Sequence, residues 1–311
     1  MIPFISRASL SEQNTWITHL SAAMPDEVIL PFADLTAEQK QQCDIAIVAN
    51  PDPEDLISLP SLKWVHSVWA GVERMMHELS SPSFSIVRLV DANLANTMSE
   101  AVLAWTLYLH RDMPTYAKQQ VKKSWAQQPM VLAQDRRIGV LGLGELGRVS
   151  AQRLVANGFS VAGWSRHSKQ IEGVECFHGK DGLALLLKQT DILICLLPLT
   201  AETKGLLGQQ NLSLLPVGAS LINFARGPII DDDALLSKLE RGELSYAVLD
   251  VFAQEPLPEN HPYWRHDSVT VLPHISAPTH PISASEIVAT NIKQYRLTGN
   301  IPHAVDPVRG Y

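Results

Sequence analysis

Three residues in the second half of this 311-residue chain stand at or just past the carboxyl ends of candidate strands, which is where open α/β sheets gather their ligands. Arg226 follows Leu221-Ile222-Asn223-Phe224-Ala225, Glu255 comes just after Leu249-Asp250-Val251-Phe252, and His274 closes Val269-Thr270-Val271-Leu272-Pro273. An arginine offers a planar, permanently charged fork to a carboxylate. A histidine exchanges a proton near neutral pH, and a carboxylate beside it favours the charged form. Taken singly, each has a plainer role available: Arg226 as an ion-pair partner, Glu255 as a loop acid, His274 as one of 11 histidines.

Upstream, Arg137-Ile138-Gly139-Val140-Leu141-Gly142-Leu143-Gly144-Glu145-Leu146-Gly147-Arg148 sets spaced glycines between an apolar strand and an amphipathic helix expected over 146–157. In a dinucleotide-binding turn Gly142 permits the tight bend, Gly144 lets backbone approach a pyrophosphate, and Gly147 lets helix and strand close together. The first helical turn, with Glu145 and Leu146, then offers its N–H groups to the phosphates. The choice of dinucleotide falls about 20 residues on, where a carboxylate would take the ribose 2′-OH of NAD. Here the strand ends Gly163-Trp164-Ser165-Arg166-His167-Ser168-Lys169, with no carboxylate before Glu172. Ser165, Arg166 and Lys169 suit a 2′-phosphate better, so NADPH is the expected cofactor and NADH the second choice. Arg166 and Lys169 as ordinary exposed cations is the alternative.

These groups need a scaffold, and short apolar runs alternating with helical stretches supply one: an α/β chain with two doubly wound parallel-sheet domains. Strands are expected at 2–6, 27–32, 45–49, 64–68 and 85–90, then at 137–141, 160–164, 192–197, 220–224, 247–251 and 269–272. Ser9-Leu10-Ser11-Glu12 reads as a capped start for a helix over 9–24. The longest helical pattern, 98–125, is broken by Pro114 and looks like a connector. A last helix is expected over 284–298. At roughly 150 residues per domain the length also gives two domains.

The balance of 32 acidic against 25 basic residues, a net charge of −7, excludes a general nucleic-acid or membrane-surface role. The doublets Lys122-Lys123 and Arg136-Arg137 are expected on solvated faces. Cys43, Cys176 and Cys195 read as small buried hydrophobes in a reducing compartment, and the absence of a signal-like start or a long apolar run places the expectation in the cytoplasm. His261, His266, His274 and His280 lie close in sequence without metal-ligand spacing, so no metal is expected.

Taken together, Ala225-Arg226-Gly227, Leu249-Asp250-Val251-Phe252 with Glu255-Pro256-Leu257, and Pro273-His274, in this order after the glycines, resemble the D-isomer-specific 2-hydroxyacid dehydrogenases. The separations of 29 residues from Arg226 to Glu255 and 19 from Glu255 to His274 fit that family. The resemblance runs from Trp64 onward and includes the ending Val305-Asp306-Pro307-Val308-Arg309-Gly310-Tyr311, while the first sixty residues carry little of it. It implies a Rossmann cofactor domain over 98–280 and a flavodoxin-like substrate domain over 1–97, completed by 281–311, with a cleft between them. It implies NADPH-preferring reduction of small 2-oxo acids, glyoxylate to glycolate and hydroxypyruvate to D-glycerate. His274 would then give a proton to the developing alkoxide, Glu255 would orient it, and Arg226 would hold the substrate and stabilise charge.

By the same resemblance Leu197, Pro198, Ala225 and Arg226 line the cofactor, and Asp250 meets the nicotinamide carboxamide unless it merely caps its loop. Trp69-Ala70-Gly71 looks like the substrate loop, with Trp69 where a glycine is expected, either narrowing the pocket or packing in the core. Ala49-Asn50 departs from the aromatic-His pair expected there. A homodimer is implied, with 98–125 as its contact. Two other readings stay open: a dehydrogenase for a bulkier D-2-hydroxy acid, and a nucleotide-sensing binding protein or scaffold on the same fold.

Overall fold

A computed structural model describes residues 1–79 and 82–306; the final Pro307–Tyr311 of the family-like ending lies outside the described residues. The chain forms two compact units, Met1–Leu94 with the described residues from Thr279 on, and Ala95–Pro278.

In the first unit strands β1 (Ile2–Ser6), β2 (Ile29–Pro31), β3 (Ile45–Ala49), β4 (Trp64–Ser67) and β5 (Ser85–Val87) form a parallel sheet in the order β2-β1-β3-β4-β5. All five residues of β3 are buried, as a central strand covered on both faces demands. One face carries Phe4, Ile47 and Trp64 against Val288, Ile292 and Tyr295 of helix Pro281–Thr298; the other carries Ile5, Val48 and Val65 against Leu56 and Met75. The C-terminal helix thus completes the N-terminal sheet. Burial pushes the His66 imidazole down to about 4, so the neutral ring donates from Nδ1 to the Ser67 carbonyl at 2.9 Å and accepts at Nε2 from Asn291 of that helix at 2.8 Å. Arg296 reaches Glu27 at 2.7 Å and Asp44 at 3.0 Å. At the other end of the unit, Ser9 and Glu12 close a reciprocal capping box on helix Leu10–Ala23.

The second unit holds β6 (Arg137–Leu141), β7 (Ser160–Ser165), β8 (Val174–His178), β9 (Ile192–Cys195), β10 (Ala219–Asn223), β11 (Leu244–Leu249) and β12 (Val269–Val271). The sheet is parallel in the order β12-β11-β10-β9-β6-β7-β8. Reversal of the strand order at β6 opens a crevice at its carboxyl end. β8 is the strand the sequence reading lacks. It is an edge strand of half-buried and exposed residues, Val174-Glu175-Cys176-Phe177-His178, with no apolar run to announce it.

The long helical pattern is two helices, Ala92–His110 and Met113–Val121. They part at Asp112, whose φ of 53° is left-handed, and Pro114 falls in the first turn of the second, where its missing N–H costs nothing. Helix therefore begins earlier than 98 and stops before Trp125, which is 98% exposed. Val102 and Leu109 are in the core, whereas Leu107 faces outward.

Of the Arg136-Arg137 doublet, Arg137 is exposed as expected and pairs with Asp191 at 2.7 Å, while the Nε of Arg136 is buried. Cys43 and Cys195 are buried thiols, and burial pushes Cys195 up to about 12; Cys176 is only half-buried on the edge strand. Among the described residues no helix is long and apolar enough to cross a membrane.

Candidate active site

The glycine turn leaves β6 as its spacing predicts. Gly142 has φ 97°, and its N–H donates to the Trp164 carbonyl at 2.9 Å, tying the turn to the end of β7. A Cβ on Gly147 would stand 1.7 Å from the Gly142 carbonyl oxygen, so only glycine lets helix Glu145–Ala156 start so close to the turn. Gly144 differs: nothing lies within 4 Å of where its Cβ would be. No side chain caps this helix, so its first N–H groups, free of intrahelical partners, are open to an anionic group. The turn thus leaves open space at position 144 beside an uncapped helix start, the kind of room a dinucleotide pyrophosphate needs.

At the end of β7, Ser165 Oγ donates to the His167 carbonyl at 2.8 Å, and beyond it Lys169 Nζ donates to the Leu143 carbonyl inside the glycine turn at 2.7 Å. Lys169 is therefore part of the turn and not a free surface cation. Arg166 pairs with Glu202 at 2.6 Å, a partner that the sequence reading missed because it comes from a turn after β9. Leu197 is buried two residues past that strand, and the Pro198 carbonyl accepts from Thr203 Oγ1 at 2.7 Å.

The other cluster forms where β10, β11 and β12 end. Buried Asn223 shapes the first of these turns: its Oδ1 accepts from Ala225 N–H at 3.1 Å and its Nδ2 donates to the Arg226 carbonyl at 3.2 Å. Arg226 Nη1 donates to the Ala225 carbonyl at 2.6 Å. A Cβ on Gly227 would fall 2.0 Å from the Phe252 carbonyl carbon, so glycine lets the Arg226 turn close against the Phe252-Ala253 backbone. Phe252 N–H in turn donates to Glu255 Oε1 at 2.9 Å, and Glu255 Oε2 meets His274 Nδ1 at 2.8 Å.

His274 has φ 55°, and both carboxylate oxygens of buried Asp250 hold the backbone beyond it, accepting from Ile275 N–H at 2.8 Å and Ser276 N–H at 2.9 Å. Asp250 thus caps the histidine loop. Asn223, Gly227 and Phe252 were not singled out from sequence. Asn223 at a strand end before Ala-Arg-Gly carries a turn signal that could have been read; the roles of the other two depend on backbone brought in from β11.

The electrostatics follow from this geometry. The hydrogen bond His274 donates to Glu255 raises its pKa above the ordinary value, outweighing burial, and Arg226 pushes in the opposite direction. Burial works to raise Glu255, but the hydrogen bonds from His274 and Phe252 and the charges of His274 and Arg226 bring it below the usual range. The arrangement favours the charged form of the imidazole and sets the Arg226 guanidinium within electrostatic reach of it.

The remaining histidines have separate local tasks. Nδ1 of His261 accepts from Tyr263 N–H at 3.3 Å, that of His266 from Ser268 N–H at 3.1 Å and that of His280 from Ser283 N–H at 3.5 Å. In the first unit, Trp69 is 39% exposed, so it does not pack in the core; its N–H donates to Ser67 Oγ at 3.0 Å. Ala70 and Gly71 follow in irregular backbone before helix Glu73–Leu79.

A parallel sheet with this turn at its order reversal defines a dinucleotide-binding α/β domain. Residues 103–276 match the model of the NAD-binding domain of D-isomer-specific 2-hydroxyacid dehydrogenases. A glyoxylate/hydroxypyruvate reductase A of Serratia proteamaculans is 38% identical over 302 residues, covering 95% of this chain and 96% of that protein. A D-isomer-specific 2-hydroxyacid dehydrogenase of Xanthobacter autotrophicus, solved with NADPH and MES, superposes with a TM-score of 0.92 at 36% identity, over 100% of this chain and 99% of that one. An NADPH-dependent glyoxylate/hydroxypyruvate reductase of Sinorhizobium meliloti, solved with NADP and sulfate, gives 0.89 at 30% identity, over 100% and 99%. The chain belongs to the D-isomer-specific 2-hydroxyacid dehydrogenase family, whose members are NAD(P)-dependent oxidoreductases.

The contrast between Gly144 and Gly147 gives a direct test of the turn. Gly144→Ala should melt within a few degrees of the parent yet bind NADPH at least tenfold more weakly by fluorescence titration, because its methyl projects into that open space. Gly147→Ala should lower the melting temperature itself, since the clash lies within the protein. Equal NADPH affinity in Gly144→Ala and the parent would contradict this placement of the phosphates.

Proposed function

We propose that this protein reduces small 2-oxo acids with NADPH in preference to NADH, converting glyoxylate to glycolate and hydroxypyruvate to D-glycerate. The observation that carries the proposal is the 2.8 Å contact of His274 with Glu255 beside the Arg226 turn, in a chain 38% identical to a reductase of those acids. The nicotinamide, when bound, supplies the hydride that reduces the substrate carbonyl. Arg226 holds the carboxylate and carbonyl oxygen of the substrate and stabilises the negative charge that grows there. His274, charged because Glu255 supports it, delivers a proton from Nε2 to that oxygen.

Asp250 spends two of about four lone-pair sites on its loop, leaving others for the carboxamide. Gly142, Gly144, Glu145, Leu146 and Gly147 hold the pyrophosphate, Ser165, Arg166 and Lys169 the adenosine phosphate, and Leu197, Pro198 and Ala225 line the cofactor. Trp69, Ala70 and Gly71 form the substrate loop of this reading, the indole selecting small acids. Three free thiols fit a cytoplasmic setting.

A homodimer belongs to the same reading, supported by the apolar residues Val121, Trp125 and Met130, which are 85%, 98% and 83% exposed. Sedimentation at micromolar concentration should give twice 34.3 kDa, and a clean 34.3 kDa species contradicts it.

The reaction is tested by absorbance at 340 nm with NADPH across glyoxylate, hydroxypyruvate, pyruvate and branched 2-oxo acids. Turnover should be fastest on the first two; faster turnover of branched acids, or none on any, overturns the proposal. His274→Asn should lose at least 10²-fold in kcat while still binding NADPH. Because reduction needs the protonated imidazole and its pKa is raised, activity should fall as pH rises through a midpoint above the ordinary histidine value. Glu255→Gln removes that support, so its alkaline limb should move to lower pH; an unmoved limb contradicts the proton-donor assignment.

A further inference from the structure

The stretch after β7 holds no carboxylate before Glu172, and on that ground the ribose 2′ position faces only cations. The fold brings a carboxylate from elsewhere. Glu202 Oε2 lies 2.6 Å from Arg166 Nη2. The two residues reach each other from opposite sides of the glycine turn: β7, which ends just before Arg166, flanks β6 on one side, and β9, which leads to Glu202, flanks it on the other.

The turn carrying Glu202 is built firmly. Thr203 Oγ1 donates to the Pro198 carbonyl at 2.7 Å and accepts from Thr200 N–H at 2.8 Å, while Lys204 N–H donates to the Thr200 carbonyl at 3.0 Å. Thr203 is buried, whereas the Glu202 side chain is 68% exposed. An ion pair this open to water adds little to folding stability, but it fixes a carboxylate beside the arginine expected to meet the cofactor phosphate.

We propose that Glu202 is a second reader of the ribose 2′ position and sets how strongly the site prefers NADPH to NADH. A carboxylate only accepts hydrogen bonds. It therefore takes the 2′-hydroxyl of NADH as the acidic residue of NAD-specific folds does. Towards a 2′-phosphate it acts in the opposite sense, repelling like charge and competing for the Arg166 guanidinium. Arg166 and Glu202 together make a two-sided site, in which the phosphate of one cofactor draws on the cation and the hydroxyl of the other on the anion. The inference rests on the reading of Arg166 as the residue that meets the 2′-phosphate.

The test is equilibrium binding by titration calorimetry of 2′,5′-ADP and 5′-AMP, which differ in the 2′-phosphate, to the full chain and its Glu202→Gln and Arg166→Gln variants. Glu202→Gln keeps the side-chain shape and removes the charge. It should bind 2′,5′-ADP about threefold more tightly and 5′-AMP about threefold more weakly, a shift of about tenfold in their ratio. The ratio of NADPH to NADH dissociation constants should move the same way. A ratio within twofold of the parent, or moved towards 5′-AMP, overturns the proposal. Arg166→Gln separates the two layers. If it abolishes the preference for 2′,5′-ADP while Glu202→Gln changes nothing, the role of Glu202 alone fails; if it leaves that preference intact, the reading of Arg166 fails and takes the role of Glu202 with it.

Discussion

The active-site geometry hangs on one buried carboxylate. Asp250 accepts the N–H groups of Ile275 and Ser276, and so fixes the chain where His274 stands in a left-handed conformation with φ 55°. That conformation costs a non-glycine residue about 1–2 kcal/mol. Hydrogen bonds to an ionised acceptor contribute about 1.5–3 kcal/mol each, so two of them outweigh the strain. The loop is thereby held in a shape it would not choose, and the imidazole stays within 2.8 Å of Glu255.

Glu255 depends on a second line of support. Phe252 N–H anchors its other oxygen, and the Phe252-Ala253 backbone can sit there only because Gly227 has no side chain. Gly227 adjoins Arg226, whose turn is closed by Asn223. The ends of β10, β11 and β12 therefore position one another, and the arginine, glutamate and histidine arrive as a set. Their charges are arranged in the same way: Glu255 favours the positive form of the imidazole, and Arg226 limits how far that support goes. A chain of net charge −7 has room for these local positive centres, at Arg226 and at Arg166 with Lys169.

The parts of this that could be read from sequence are those carried by short segments. Three spaced glycines after an apolar strand located the tight turn between β6 and its helix, because turn, strand and helix are contiguous. The strand pattern likewise revealed a parallel α/β sheet wherever strands are buried, and failed at Val174–His178, an edge strand whose residues meet water. The limits of sequence show where distant segments meet. Nothing near Arg166 foretells Glu202, which arrives by way of β9, and the span 98–125 hides a helix break at Asp112 two residues before the proline that seemed to cause it. Asp250 was legible as a strand-end acid, but its hold on the His274 loop depends on two neighbouring strands ending level.

The central claim is that Asp250 and Glu255 together raise the pKa of His274 and so favour its charged form, and it is best tested by following the His274 ring through a pH titration by NMR. The parent should titrate above the ordinary histidine value of about 6.5. Asp250→Asn, which replaces one acceptor by a donor and frees the loop while leaving Glu255 in place, should return His274 towards that value. An unchanged His274 titration in Asp250→Asn, in a protein that still folds, would contradict the account.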